Sequence, residues 1–435
     1  MEKEYLSVAE VADILSVSKE TLRRWDRAGK LTPIRHPINN YRVYHKSQLA
    51  IFEQAQLMMN SSWEEEASTK PARKLHSIEL FAGAGGLALG LEKAGFEAVL
   101  LNEIDKAACA TLRKNRPTWN VQERSITGLD FKPFHNKVDL VSGGFPCQSF
   151  SYAGKRLGFE DARGTLFYEF ARCLKEVNPP IFLAENVRGL LEHDEGRTLS
   201  SIKDIIDELG YYLVEPKVLK AIFYQVPQKR ERLFLIGIRK DLQAFAPIFK
   251  WPSPYKQIML LKDALKAGAL YPTDVPSSKG QIYPEVKRNI MALVPPGGYW
   301  RDLPEELQKE YMKGSFYLGG GKTGMARRLS WDEPSLTLTC APAQKQTERC
   351  HPEETRPLTV REYARIQTFP DEWVFEGSLT NAYKQIGNAV PVNLAYAVAR
   401  SLVRLLNRID SEEHPAFETL HKQSNNLGEQ LALAI

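Results

Sequence analysis

Ser77-Ile78-Glu79-Leu80-Phe81-Ala82-Gly83-Ala84-Gly85-Gly86-Leu87-Ala88-Leu89-Gly90-Leu91-Glu92-Lys93-Ala94 is the stretch from which the fold can be read. The short apolar run Ser77–Phe81 predicts a buried strand, Gly83-Ala84-Gly85-Gly86 a tight turn, and Leu87–Ala94 a helix. The alternation then repeats. Ala98–Leu101 (ending in Asn102-Glu103), Val138–Val141, Ile181–Ala184 and Leu233–Ile236 are further short apolar runs separated by helical patterns. Strands alternating with helices predict an α/β fold with a doubly wound, mostly parallel sheet. Ligands of such sheets sit beyond the carboxyl ends of the strands, and the chemically distinctive residues of this chain all follow strands.

The glycine turn lets a ligand approach the backbone without Cβ clashes. Glu103, at the end of the second strand, is placed to accept hydrogen bonds from ribose hydroxyls. Alone, this pattern fits a nicotinamide cofactor, S-adenosylmethionine or plain strand-to-helix packing. Gly143-Gly144-Phe145-Pro146-Cys147-Gln148-Ser149-Phe150-Ser151 follows the third of these runs and presents a thiol at the ligand edge, where a thiolate is a strong nucleophile. Glu185-Asn186-Val187 brings a carboxyl group to the same edge; in a site closed from water its pKa is expected to rise, so that it can donate a proton. In Gln228-Lys229-Arg230-Glu231-Arg232, the arginines at alternating positions are expected to share one strand face, where they could clamp an anion or hold Glu185.

The chain has 435 residues, 43% hydrophobic and 26% charged, which excludes a wholly disordered, collagen-like or coiled-coil protein. Its net charge of +5 is compatible with a nucleic-acid partner without requiring one. Cys109, Cys147, Cys173, Cys340 and Cys350 have no paired spacing, and no signal-peptide pattern stands at the N-terminus, so reduced cytoplasmic thiols are expected. Cys350-His351 is too isolated to argue for zinc, and no metal is expected. No uncharged apolar run approaches the length of a membrane span, and no membrane partner is expected.

Residues 1–58 are expected to form a separate module. Ser7 and Glu10 make a capping-box pattern, and Val8, Val11, Ala12 and Leu15 recur at helical spacing. Ser18 and Thr21-Leu22-Arg23-Arg24-Trp25 start a second helix, with Gly29 at its end. Asn39-Asn40 then falls inside an extended stretch closing with Tyr41-Arg42-Val43-Tyr44. From Lys19 to Lys46 there are eight basic residues against two acidic ones. This segment resembles a MerR-type winged helix-turn-helix, with Thr21–Leu31 similar to its recognition-helix segment and Tyr41–Tyr44 to its wing. The resemblance implies DNA contacts through Arg23, Arg24, Arg27 and Arg42. Residues 59–74 have linker composition.

Beyond the linker, Phe81–Gly86, Pro146-Cys147-Gln148, Arg163-Gly164-Thr165-Leu166, Glu185-Asn186-Val187, Gln228-x-Arg-x-Arg and Gln385-Ile386-Gly387-Asn388-Ala389-Val390-Pro391 resemble, in order, the motifs of cytosine-C5 DNA methyltransferases. The resemblance spans about residues 75–408 and implies a Rossmann-like, S-adenosylmethionine-dependent methyltransferase domain. It makes Cys147 the nucleophile that adds to cytosine C6, Glu185 the acid at N3 and Arg232 the residue that positions the base and Glu185, with Arg230 supporting the loop. It assigns Phe81, Ala82, Gly83, Gly85, Gly86, Glu103, Ile104, Ser125, Ile126, Pro146, Leu166, Asn388, Ala389 and Val390 to the cofactor, and Gln148 and Ser151 to DNA. Ser125 stands where the family usually has an acidic residue on the adenine amino group, which implies weaker cofactor binding.

By position, residues 245–355 resemble the family's variable target-recognition domain, a small irregular part rich in loops; residues 75–244 and 356–408 make up the methyltransferase domain, and 409–435 a polar tail. Residues 391–407 carry helical spacing. The expected partners are double-stranded DNA and, functionally, a cognate restriction endonuclease. The catalytic part is expected to be monomeric, and the N-terminal module is a candidate for dimerisation. Two alternatives share these features: a tRNA cytosine methyltransferase, and a DNA-binding regulator with an inactive methyltransferase part.

Overall fold

The structure, a computed structural model, describes residues 4–38, 40–146, 165–320 and 322–413. The chain divides into two compact units. One comprises Met1–Glu64, Lys220–Arg230 and Ser253–Leu394, the other Glu65–Leu219, Glu231–Pro252 and Ala395–Ile435.

The chain opens with β1 (Tyr5–Ser7), α1 (Val8–Ile14), α2 (Lys19–Arg27), β2 (Ile34–Arg35) and β3 (Arg42–His45). The capping box forms as read: Ser7 Oγ accepts from the Glu10 amide and Glu10 accepts from that of Ser7. Ser18 caps α2, and Gly29 follows it with φ +68°. The wing is a three-stranded antiparallel sheet of order β1-β3-β2; Asn39 lies outside the described residues. Residues 59–74, expected as a linker, contain α4 (Trp63–Ser68), which follows α3 (Glu53–Met59). Trp63 is 5% exposed, with its ring against Tyr224 and Tyr255, and Glu66 is likewise buried. The polar composition concealed these two anchors.

The second unit holds β4 (Leu75–Leu80), α5 (Gly86–Ala94), β5 (Phe96–Glu103), α6 (Lys106–Asn115), β6 (Val121–Glu123), β7 (Leu140–Gly143), α7 (Leu166–Val177), β8 (Ile181–Asn186), α8 (Arg197–Glu208), β9 (Tyr211–Leu213) and β10 (Lys217–Lys220). After β11 (Gln228–Lys229), β12 (Glu231–Arg239) completes the eight-stranded sheet, of order β10-β12-β8-β7-β4-β5-β6, with β9 also on β12. Strands β8-β7-β4-β5-β6 are parallel, and β12 is antiparallel to β8. The mostly parallel sheet is as expected. Its core includes Ile78, Leu80, Val141, Phe170, Phe182 and Leu235, all fully buried. Such two-sided burial is why these strands read as unbroken apolar runs.

In the first unit, β11 pairs in parallel with β13 (Ser335–Leu336), and α9 (Leu261–Leu265), α10 (Glu285–Ala292) and α11 (Glu305–Met312) lie between these two strands along the chain. Trp300, Tyr311, Met312 and Met325 centre a small separate core there. The loops expected in this region are interrupted by α10 and α11, whose short apolar stripes are hidden among polar residues. Arg328, 3% exposed, knots several loops by donating to the carbonyls of Met291, His351 and Pro352 and to Thr355. The chain ends with α12 (Val360–Ile366), α13 (Leu379–Asn388) and α14 (Val392–Glu413), which contains the helix expected over 391–407. The stretch Leu379–Glu412 is long and apolar enough to cross a membrane, but its apolar window is 89% buried within the protein, as in a core helix. Residues 414–435, most of the expected tail, lie outside the described residues.

Candidate active site

At the carboxyl edge of the sheet, β8 ends in Glu185 and Asn186, whose side chains alternate. Phe234 on β12 lies opposite Glu185, so two residues back along that strand Arg232 returns to the same face, diagonal to Glu185. Arg232 Nε is 2.6 Å from Glu185 Oε1, and each side chain is 12% exposed. Asn186 serves the loop after β7, donating from Nδ2 to the Phe145 carbonyl at 2.9 Å. Phe145 anchors that loop by packing its ring on Phe167 and Phe170. Gly144 has no side chain for a spatial reason: a Cβ there would stand 2.8 Å from Glu185 Oε2. Pro146 is exposed at the end of this described stretch, and Cys147, Gln148 and Ser151 lie outside the described residues.

Arg230 does not share a face with Arg232, as alternation had suggested. The strand breaks between β11 and β12, and Arg230, 2% exposed, donates to the carbonyls of Leu338 (3.2 Å) and Gly387 (2.8 Å). It is a loop-holding residue.

The glycine turn after β4 is built from left-handed backbone. Gly83 has φ +53° and Gly85 +86°, and Phe81, a bulky residue that rarely adopts such a conformation, has +57°. Ala82 donates its amide to the Asn102 carbonyl, and Gly85 is the N-cap of α5 with no side-chain cap, leaving helix N-terminal amides for an anionic group. Gly86 begins that helix. Glu103 is held by three amides: Oε2 accepts from Gly83, and Oε1 from Ile104 and Asp105, each at 2.8 Å. A carboxylate offers about four lone-pair positions, so one remains for a ribose, and a second hydroxyl must share an oxygen or displace an amide. Ile104, 69% exposed, presents an apolar face beside it. Asn102, buried, ties the strand to the carbonyls of Gln122 and Arg124. Ser125 caps the short turn that starts at the buried Ile126. Behind the turn, burial pushes the Glu79 carboxyl up to about 8; a hydrogen bond from the Ala88 amide opposes the shift, and the charge of Glu103 adds to it.

Leu166 is the first residue of α7, partly buried behind its N-cap Thr165. Asn388, Ala389 and Val390 belong to the other unit, at the end of α13. There Gln367 Nε2 donates to the carbonyls of Ile386 and Ala389, and Gln228 donates to Gln367. In the N-terminal module Arg23, Arg24, Arg27 and Arg42 are exposed; Arg23 and Arg27 both pair with Glu20.

Taken together, the turn, Glu103 and Ile104 fit an adenosine-type ligand: an anionic ribose acceptor, an apolar base face and backbone open to close approach. Sequence reasoning missed the left-handed Phe81, the fit of Gly144 against Glu185 and the tie from Asn102. A buried asparagine at a strand end was the available signal for the last of these.

Comparison with known proteins bears on the same residues. Residues 75–404 match the family model described as C-5 cytosine-specific DNA methylase, and residues 7–44 that of the MerR family regulatory proteins. The Type II methyltransferase M.Eco47II of Escherichia coli is 69% identical over 411 residues, 94% of this chain and 98% of that protein. M.PspPI of Psychrobacter sp. (strain TA137) is 63% identical over 403 residues, 93% and 97% of the two chains. Among solved structures, a candidate DNA modification methyltransferase encoded within an E. coli prophage aligns with TM-score 0.59 and 24% identity, over 77% of this chain and 100% of the other. The S. pombe Dnmt2 methyltransferase aligns with TM-score 0.52 and 17% identity, over 78% and 100%. At these identities the structural matches show likeness of fold alone. The family match across the sheet and its edge, with relatives this similar over nearly their whole length, makes the chain a member of the C-5 cytosine-specific DNA methylase family, a methyltransferase with a MerR-like N-terminal segment.

Proposed function

We propose that the chain methylates C5 of a cytosine flipped out of a short duplex sequence, with S-adenosylmethionine as donor and Cys147 as transient covalent nucleophile. The observation that carries the reading is the Glu185–Arg232 pair, set against Gly144 only three residues before Cys147. The relatives named as Type II methyltransferases support a role as the modification half of a restriction-modification pair, with a cognate endonuclease as functional partner.

Cytosine C5 is a poor nucleophile while the ring is aromatic. Addition of the Cys147 thiolate forms a sulfur–C6 bond and moves an electron pair towards C5. Glu185 protonates or hydrogen-bonds N3, offsetting the negative charge that develops there. Arg232 fixes Glu185 and the base. S-adenosylmethionine, when bound, supplies an electrophilic methyl group. Removal of the C5 proton then returns the electron pair and expels Cys147. Because C6 is unreachable in a stacked duplex, the target base must leave the helix.

For the cofactor, Glu103 takes the ribose, Phe81 and Ile104 the faces of the adenine, Ser125 and Ile126 its edge, and Ala82, Gly83, Gly85 and Gly86 the backbone side. Pro146, Leu166, Asn388, Ala389 and Val390 are assigned to the methionine portion. Gln148 and Ser151 contact DNA near the target, and Arg23, Arg24, Arg27 and Arg42 bind a duplex through the N-terminal module. That module also suits repression of the protein's own promoter: replacing Arg23, Arg24 and Arg42 with Ala is expected to raise expression from it, and unchanged expression refutes that role.

The test of the main reading is bisulfite sequencing of DNA from a methylation-free host expressing the wild type or Cys147→Ala. The expected result is protected cytosines in one short context with the wild type alone. Absence of protection by folded wild-type protein overturns it.

A further inference from the structure

The N-terminal module is tied by two ion pairs to other segments of its own compact unit. Asp13 Oδ1, on α1, lies 2.7 Å from Lys229 Nζ on β11, with side chains 12% and 31% exposed. Lys19, the first residue of α2, lies 2.6 Å from Glu333 Oε1. The two anchors belong to one small platform, because β11 pairs with β13, which starts two residues after Glu333, and the Ser335 amide donates to the Pro227 carbonyl. Leu6, Ile14, Leu49 and Met58 of the module face Ile258 and Leu260 around a cavity of about 290 Å³.

On its other side, β11 holds the turn that ends α13. Gln228 reaches it through Gln367, which donates to the carbonyls of Ile386 and Ala389, and Arg230, the residue after Lys229, donates to that of Gly387. One two-residue strand with the arginine that follows it thus grips the helix-turn-helix by its middle residue and the Asn388 turn by its neighbours.

The Asp13–Lys229 pair is partly buried on both sides, with side chains 12% and 31% exposed. Burial raises the Asp13 pKa, which the attraction of Lys229 opposes; a pair taken out of water in this way is a poor source of stability and a better source of register.

We propose that Asp13 is a positioning residue for methyl transfer: through Lys229 it fixes β11, and through Gln228 and Arg230 it sets the Ile386–Ala389 turn. The helix-turn-helix is then a working part of the enzyme as well as a DNA-binding appendage. This rests on the assignment of Asn388–Val390 to the cofactor.

The test uses the full-length protein, titrated with S-adenosylhomocysteine in a calorimeter and assayed for transfer of labelled methyl groups to unmethylated phage DNA. Asp13→Asn removes the charge while keeping the shape. It is expected to raise Kd for S-adenosylhomocysteine and KM for S-adenosylmethionine about tenfold, while kcat changes far less and the melting temperature stays close to that of the wild type. The exchanged pair, Asp13→Lys with Lys229→Asp, is expected to recover most of that loss. Wild-type Kd and KM in Asp13→Asn, or an exchanged pair no better than the single variant, overturns the proposal. A wild type that binds no S-adenosylhomocysteine overturns the cofactor assignment itself, and this inference with it.

Discussion

Each compact unit contains a carboxylate and a cation separated by 2.6 Å: Glu185 with Arg232 at the sheet edge, and Glu348 with Lys287 in the small core around Trp300. The surroundings differ. Glu185 keeps 12% of its side chain exposed and has Gly144 against it, a residue that takes no space from the carboxylate. Glu348 is fully buried beside Tyr283 and Tyr311; its pKa is raised by burial, which the charge of Lys287 opposes. A carboxylate left partly open at a sheet edge is suited to meeting something from outside. Only the carboxylate of the second pair is sealed, since Lys287 keeps 19% of its side chain exposed; a carboxylate with no open side can only hold its neighbours in place, and Lys287 does so further by donating to the Ala343 carbonyl.

The sharpest way to break this contrast is at Glu185. Glu185→Gln is expected to lower kcat by about 10³-fold while leaving the melting temperature near that of the wild type, measured as methyl incorporation beside thermal unfolding. More than a tenth of wild-type turnover would remove the acid role at N3. At the other pair the signature should invert. Lys287→Met leaves a buried carboxylate without its cation and is expected to cost about 3 kcal/mol in denaturant unfolding. A variant of unchanged stability that had lost methyl transfer would show that the Lys287–Glu348 pair has chemical work to do.

Glu79 tests burial at a carboxylate without a cation. Its folded-state pKa, pushed up to about 8, lies above its ordinary value of 4.5, so the folded state binds the proton more tightly. The contribution of this group to stability is therefore fully present below pH 4.5 and is lost as pH rises through the interval to about 8. Glu79→Gln is expected to flatten this part of the curve of melting temperature against pH, and an identical slope in the variant would refute the assignment. The smallest effect is expected at Ser125. Ser125→Asp offers the adenine amino group a charged acceptor, an advantage of about 1 kcal/mol, or roughly fivefold tighter binding of S-adenosylmethionine by calorimetry. Weaker binding would show that this residue faces something else.

The sheet was legible because strands buried on both faces are written as short apolar runs, and because ligand chemistry collects after such strands. Glu185 follows its strand, as that rule expects, whereas Arg232 stands at the start of its own; their meeting follows from strand pairing and alternation. The shared face expected for Arg230 and Arg232 does not form, because alternation assumes an unbroken strand and the strand breaks after Lys229, which pairs with β13 more than a hundred residues away. Trp63 and Glu66 were lost within a polar segment, and the rings that pack on Trp63, Tyr224 and Tyr255, are likewise far along the chain. Helices α10 and α11 are short and mixed in character, so their periodicity barely rises above that of a loop. The left-handed conformation of Phe81 carries no compositional mark at all.

The hold of Glu103 on the Gly83 amide has a consequence for observation. That hydrogen is latched by a side chain rather than by a strand or helix ladder, so its exchange with deuterium follows the opening of one carboxylate contact. A nucleoside that takes the remaining lone pair of Glu103 shifts the electron density at that oxygen and covers the turn together. With Glu103 in its proposed ribose role, the Gly83 amide is expected to report occupancy, readable by isotope exchange in protein that performs no turnover.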